Sequence, residues 1–305
     1  MTTPPALLLV GDGARDEDGA EAFRSFAGEL ARHNPEFPVA GGFVEFSQPS
    51  LADSVAGLVA DGVTRIAAVP LALVSAGRAG EGMPPALARE LERHPDVSCT
   101  WGRALGPHPT VLSALERRLD EAVSGDGDRA RTPSLSAADA DFPEPRAPRT
   151  PDDRSRTTVL LVGPGSPDPY ANAEVHRAAR LLWEGRGYAG VEVAFVSFAA
   201  PDVASGLDRC RKLGAKKVVV LPYFLFAGGL SKRVRQQSEG WGVANRDVVV
   251  VPAEVIGGDQ ELAGLVLERY REAVAEQPVL LPQQPPAHSD AADADGPADD
   301  HARSR

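Results

Sequence analysis

Moved by 152 positions, the second half of this 305-residue chain lies on its first half. Leu8-Leu-Val-Gly11-Asp12-Gly13-Ala-Arg-Asp16 falls on Leu160-Leu-Val-Gly163-Pro164-Gly165-Ser-Pro-Asp168 without a gap. The same displacement sets Gly42-Phe43-Val-Glu45-Phe46-Ser-Gln-Pro49 on Ala194-Phe195-Val-Ser197-Phe198-Ala-Ala-Pro201, Val69-Pro70-Leu71 on Leu221-Pro222-Tyr223, and Gly77 on Gly229. At a displacement of 151, Ala104-Leu105-Gly106 meets Val255-Ile256-Gly257. Chance does not hold one register through four blocks, so the chain must fold one unit twice. The copies span residues 1–123 and 157–275.

Between the copies, residues 124–156 are rich in Pro, Ser, Asp and Arg and poor in large apolar side chains. Such a segment buries too little surface to offset its ordering entropy and reads as a disordered linker. The tail 276–305, acidic and Pro-rich, reads the same way. The chain as a whole is 43% apolar and 25% charged, which is globular composition. No apolar run approaches the roughly 20 residues of a bilayer span, and the N-terminus lacks the pattern of a signal peptide. The expectation is a cytoplasmic protein with no membrane partner. Cys99 and Cys210 have no Cys or His at ligand spacing, which argues against a disulfide framework or structural zinc.

A net charge of −11 disfavours a nucleic-acid partner, yet the charge is unevenly placed. Residues 1–123 carry 17 acidic and 10 basic side chains, whereas 157–275 carry 13 and 14, with all four lysines. The second copy is the better place for an anionic ligand. Lys212, Lys216 and Lys217 precede a strand and so sit at the wrong end of a sheet for a ligand cleft. Lys232 and Arg233 follow one.

Within the first copy, Ala6–Val10, Val39–Phe46, Ile66–Leu73 and Val97–Trp101 are short apolar runs bounded by turn residues, which predicts strands. Gly19–His33, Leu51–Asp61, Pro84–His94 and Pro109–Val123 carry apolar residues at helical spacing, which predicts helices. Regular alternation gives an α/β fold of two tandem homologous domains, each a parallel sheet with helices on both faces. Ligands of such sheets bind beyond the carboxyl ends of the strands. That rule selects Asp12, Glu45, Arg78 and the Gly106-Pro-His108 turn in one copy, with Pro164, Ser197, Leu230 and Asp259 in the other. Gly11-Asp-Gly13-Ala-Arg-Asp16 starts like a dinucleotide fingerprint but has Asp at the third glycine position, and no nucleotide-phosphate, zinc-protease, serine-hydrolase or CxxC motif occurs. Glu174 and His176 lie on the first helix of copy two and read as helix-surface residues.

The quoted blocks, with Pro49-Ser50-Leu51, Ser75-Ala-Gly77, Gly102-Arg103-Ala-Leu-Gly106-Pro-His108-Pro109, Asp168-Pro-x-Ala-Asn172-Ala-Glu174 and Leu221-Pro-Tyr-Phe-Leu-Phe226, resemble the class II chelatases of the CbiX/SirB type in their long, two-copy form. The resemblance covers both copies and excludes linker and tail. It implies insertion of Co(II) or Fe(II) into sirohydrochlorin in a cleft between the copies, on the routes to cobalamin or siroheme, with no organic cofactor. Fusion of the two copies makes a monomer with an internal two-fold cleft sufficient, and that is the expectation.

The same resemblance implies three metal ligands: a His between the first two glycines, a Glu ending the second strand and a His after the third strand. Glu45 is retained here, but the His positions hold Asp12 and Arg78. Asp can bind a divalent ion and accept a proton, whereas Arg stays protonated and repels a metal. Asp12 and Glu45 are therefore the metal and catalytic candidates. Arg78, His108, Lys232 and Arg233 are candidates for substrate carboxylates. The substitutions leave a second outcome open, a catalytically silent paralogue that binds a tetrapyrrole or partners an active chelatase.

Overall fold

The computed structural model describes residues 4–13, 17–75, 82–129 and 151–275. In the first copy, β1 (Ala6–Gly11), α1 (Glu17–His33), β2 (Val39–Phe43), α2 (Leu51–Ala60), β3 (Arg65–Pro70), α3 (Met83–Leu91), β4 (Ser98–Trp101) and α4 (Pro109–Arg129) alternate along the chain. After a short α5 (Pro151–Ser155), the second copy repeats the order as β5 (Thr158–Gly163), α6 (Pro169–Trp183), β6 (Gly190–Phe195), α7 (Val203–Lys212), β7 (Lys217–Pro222), α8 (Gly229–Ala244), β8 (Val249–Pro252) and α9 (Gln260–Ala275).

The strands form two four-stranded parallel sheets, ordered β2-β1-β3-β4 and β6-β5-β7-β8. Every residue of β1 and of β5 is buried, as a parallel strand covered on both faces requires. The pleat divides β1 between two cores. Ala6, Leu8 and Val10 pack with Leu51 and Val55 of α2 and Met83 and Leu87 of α3, whereas Leu7 and Leu9 face Phe23, Phe26 and Leu30 of α1.

The second face of each sheet is completed by the other copy. α9 packs on β3 and β4, while α4 packs on β7 and β8, so the two copies exchange their last helices. One core joins Leu7 and Leu9 to Leu262, Leu265 and Val266 of α9. Near-equivalent arginines secure the exchange. Arg118 Nη2 donates to the Ile256 carbonyl at 2.8 Å, and Arg269 Nε donates to the Ala104 carbonyl at 3.2 Å. Arg269 is only 4% exposed and also donates to both carboxylate oxygens of Glu272 at 2.8 Å. Tyr270 stacks on Phe37 at 4.6 Å, and its hydroxyl donates to the Pro5 carbonyl at 2.6 Å.

Some expected bounds are corrected. β2 stops at Phe43 and β3 at Pro70, short of Phe46 and Leu73, because the chain turns there to build the strand-end loops. The expected disordered linker is helical at both ends, since α4 continues to Arg129 and α5 begins at Pro151. Arg154 explains the second end: it lies 3.6 Å from Glu116, 3.5 Å from Asp120 and 5.5 Å above the Tyr188 ring. Composition registers a polar segment and not the partners waiting for it. Residues 130–150 and the tail 276–305 lie outside the described residues.

Candidate functional site

Ladder bonds continue past the ends of β1 and β2. The Val44 amide donates to the Gly11 carbonyl at 2.9 Å and the Glu45 amide to the Asp12 carbonyl at 3.1 Å. The backbones of Asp12 and Glu45 are thus bonded neighbours at one strand mouth, Asp12 half-buried and Glu45 exposed. Gly13 makes the approach possible: its φ is +109°, and a Cβ there would stand 1.8 Å from the Glu45 carbonyl oxygen.

Beyond Glu45 the chain folds into a three-residue turn in which the Ser47 amide donates to the Glu45 carbonyl at 2.7 Å. Its centre is Phe46, with φ of 61° and a side chain directed out of the core. Left-handed backbone at a bulky residue costs on the order of 1–3 kcal/mol and persists where neighbouring structure over-determines it. Here the Phe43 amide closes the loop onto the Pro49 carbonyl at 3.0 Å.

Copy two reproduces the backbone and replaces the chemistry. The Ser197 amide donates to the Pro164 carbonyl at 3.2 Å, the Ala199 amide to the Ser197 carbonyl at 2.7 Å, and Phe198 has φ of 57°. A Cβ on Gly165 would stand 1.7 Å from the Ser197 carbonyl oxygen. The positions of Asp12 and Glu45 are held by Pro164 and Ser197, and the Ser197 hydroxyl donates to the Pro164 carbonyl at 2.8 Å. Only the first copy has carboxylates at this place.

The two mouths meet. Ser75, beyond β3, donates its amide to Glu174 Oε2 of α6 at 2.6 Å. The Tyr223 hydroxyl, beyond β7, donates to the Leu73 carbonyl at 3.3 Å, and burial pushes that phenol well up. Gly106 allows the close fit, since a Cβ there would lie 2.5 Å from the Leu73 oxygen and 2.6 Å from the Tyr223 hydroxyl. Lys232 of α8 pairs with Asp18 of α1, spanning the copies near the same ends. Arg233 beside it is exposed.

Of the sequence candidates, Asp12 and Glu45 come together, while Lys232 and Arg233 stand at the opposite mouth. His108 does not join them. Its Nδ1 accepts the Thr110 amide at 3.3 Å at the start of α4, and its Nε2 faces Glu268 of α9 at 3.7 Å. The proline-led turn after β4 delivers it to the junction of the exchanged helices. Arg78 lies outside the described residues. Among the described residues, no three His, Cys, Asp or Glu side chains converge on one metal position. Sequence reasoning left Glu174 on a helix face, and its reach to Ser75 is legible only in three dimensions.

Taken together, these features define a duplicated α/β protein whose two sheets present their strand ends to one another, with Asp12 and Glu45 on one side and Lys232 and Arg233 on the other. The chain belongs to the CbiX family, whose model matches residues 6–122 and 158–273. It is 31% identical over 270 residues to a sirohydrochlorin cobaltochelatase of Priestia megaterium, spanning 88% of this chain and 80% of that protein. A sirohydrochlorin ferrochelatase of the same organism is 28% identical over 236 residues, 77% of this chain and 78% of that protein. The fold matches the solved structure of SirB from Bacillus subtilis with Fe3+ at a TM-score of 0.68 and 24% identity, covering 89% of this chain and 96% of that one.

Proposed function

We propose that this chain inserts Co(II) or Fe(II) into sirohydrochlorin. The observation that carries the reading is the adjacent pair Asp12 and Glu45 at a strand mouth, in a chain whose two copies both match the CbiX family. Relatives named for cobalt and for iron insertion support the substrate and the choice of metals. The reaction balances without a redox partner: a divalent ion enters the macrocycle and two pyrrole N–H protons leave.

Each group has a task that its chemistry suits. Carboxylates of Asp12 and Glu45 hold the incoming ion and accept the displaced protons. Two protein ligands leave coordination positions for the pyrrole nitrogens, so the ion passes to the macrocycle without first being stripped from a closed site. Arg78, Lys232 and Arg233 hold the peripheral carboxylates of the substrate, for which guanidinium and ammonium groups are suited.

The test is an anaerobic absorbance assay with sirohydrochlorin and Co(II) or Fe(II), corrected for spontaneous insertion. A rate above background that falls about a hundredfold or more in Glu45→Ala is expected, the size of effect usual for an acid–base group. No excess rate with the pigment still bound favours a second reading, a silent paralogue that keeps the cleft or partners an active chelatase. Asp12 and Arg78, standing where the resemblance places histidines, are what favour that reading. Gain of insertion in Asp12→His with Arg78→His would establish it.

A further inference from the structure

Two rings at the strand mouths are not accounted for by metal chemistry. Phe46 is 65% exposed and Phe198 80% exposed. They occupy equivalent positions, at the centres of the same three-residue turn, with φ of 61° and 57°. A bulky side chain in left-handed backbone is a rare arrangement, and here it is built twice with the same hydrogen bonds. The flanking residues have meanwhile diverged, Asp12 against Pro164 and Glu45 against Ser197. Whatever retains the turn in copy two is therefore not metal binding.

The strain would vanish with glycine at either position, and an exposed ring contributes little burial. What both copies share is the ligand between their mouths. Copy two adds Tyr170 at 77% and Leu230 at 42% exposure beyond β5 and β7, so its strand ends form an apolar rim where copy one has carboxylates. Lys232 and Arg233 lie next to Leu230, which sets cations beside that rim. An apolar surface edged by cations matches a flat conjugated ring bearing carboxylates.

We infer that Phe46 and Phe198 are paired aromatic contacts, one from each copy, that pack against the tetrapyrrole macrocycle and position it over the Asp12–Glu45 mouth. The inference rests on the chelatase reading and adds the residues that hold the ring system. The left-handed turn fixes the direction in which each Cα–Cβ bond leaves the sheet end, so the backbone carrying the ring needs no ordering on binding.

The experiment measures metal-free sirohydrochlorin binding by absorbance and fluorescence titration for the full chain, Phe46→Gly, Phe198→Gly and the double variant. Glycine accepts the observed φ, so melting temperatures are expected to stay equal or rise. Each single change is expected to weaken binding about tenfold and the pair about a hundredfold. Phe46→Trp and Phe198→Trp should restore affinity to within about threefold. In turnover with Co(II), the loss should appear in KM. A double glycine variant that is folded and binds as tightly as the parent overturns the inference while leaving the chelatase reading standing. A parent that does not bind sirohydrochlorin overturns both. Unchanged binding with altered sedimentation would assign the rings instead to self-association.

Discussion

At the scale of single residues, the duplicated turns separate what holds the backbone from what does chemistry. Gly13 and Gly165 are fixed by carbonyl oxygens that leave no room for a Cβ, and they are retained in both copies. Asp12 and Glu45, the proposed metal ligands, are not. The helix following each turn is capped by a different residue for the same purpose. Ser50 accepts the Asp53 amide at 3.1 Å in copy one, and Asp202 accepts the Ser205 amide at 2.8 Å in copy two. Hydrogen bonds from Ser205 hold the Asp202 carboxyl below the usual carboxylate range. Its folded value lies below its unfolded one, so its contribution is complete above the unfolded value near ~4 and disappears as pH falls through the folded value. Asp202→Ala should therefore cost about 1 kcal/mol at pH 7 and progressively less in more acidic solution below pH ~4. Urea titrations of parent and variant across that range check it, and a cost independent of pH would assign the loss to shape alone. That Asp12 and Glu45 stand at strand ends was legible in the sequence, because the strand-end rule names positions. Phe46 was not, since the run Val39–Phe46 reads as one strand and only the turn centred on Phe46 takes that ring out of the sheet.

At the scale of elements, strands and helices were legible because their periods are local, whereas the covering of the sheets was not. An apolar stripe on α4 or α9 specifies that a helix must bury one face, and it is silent on which sheet receives it. The exchange of the two helices depends on contacts more than a hundred residues apart, such as Arg118 to Ile256 and Arg269 to Ala104. These near-equivalent contacts differ in burial. The side chain of Arg269 is 5% exposed, and that of Arg118 is 22% exposed. Removing a buried guanidinium strands its partners, which costs about 3 kcal/mol, while a partly exposed one leaves groups that water can satisfy, at about 1 kcal/mol. Arg269→Ala should thus destabilise clearly more than Arg118→Ala in urea unfolding. Equal losses would mean that the two junctions share the load despite their different burial.

At the scale of the whole molecule, the exchange makes the two copies one folding unit rather than two beads on a string. Without copy two, the first sheet loses the face supplied by Leu262, Leu265, Val266, Tyr270 and Ala273. At roughly 1.5–3 kcal/mol for each large side chain, that loss is on the order of 10 kcal/mol, comparable to the whole stability of a domain. Copy two without α4 is deprived in the same way of Val111, Leu112, Leu115 and Leu119. Neither copy can then keep a closed core, and each would expose an apolar sheet face that invites association. A chain divided between Arg129 and Pro151 leaves every described helix and strand intact, so it isolates this dependence from damage to them. Expressed together, the two pieces should co-purify in a 1:1 ratio with the near-ultraviolet circular dichroism of the parent. Expressed apart, each should aggregate or lose fixed tertiary signal. Two separately soluble, cooperatively unfolding pieces would show that each sheet can recover a covering helix of its own. The mouth would then be an interface between independent domains, and the contacts from Glu174 to Ser75 and from Tyr223 to Leu73 would have to hold it closed unaided.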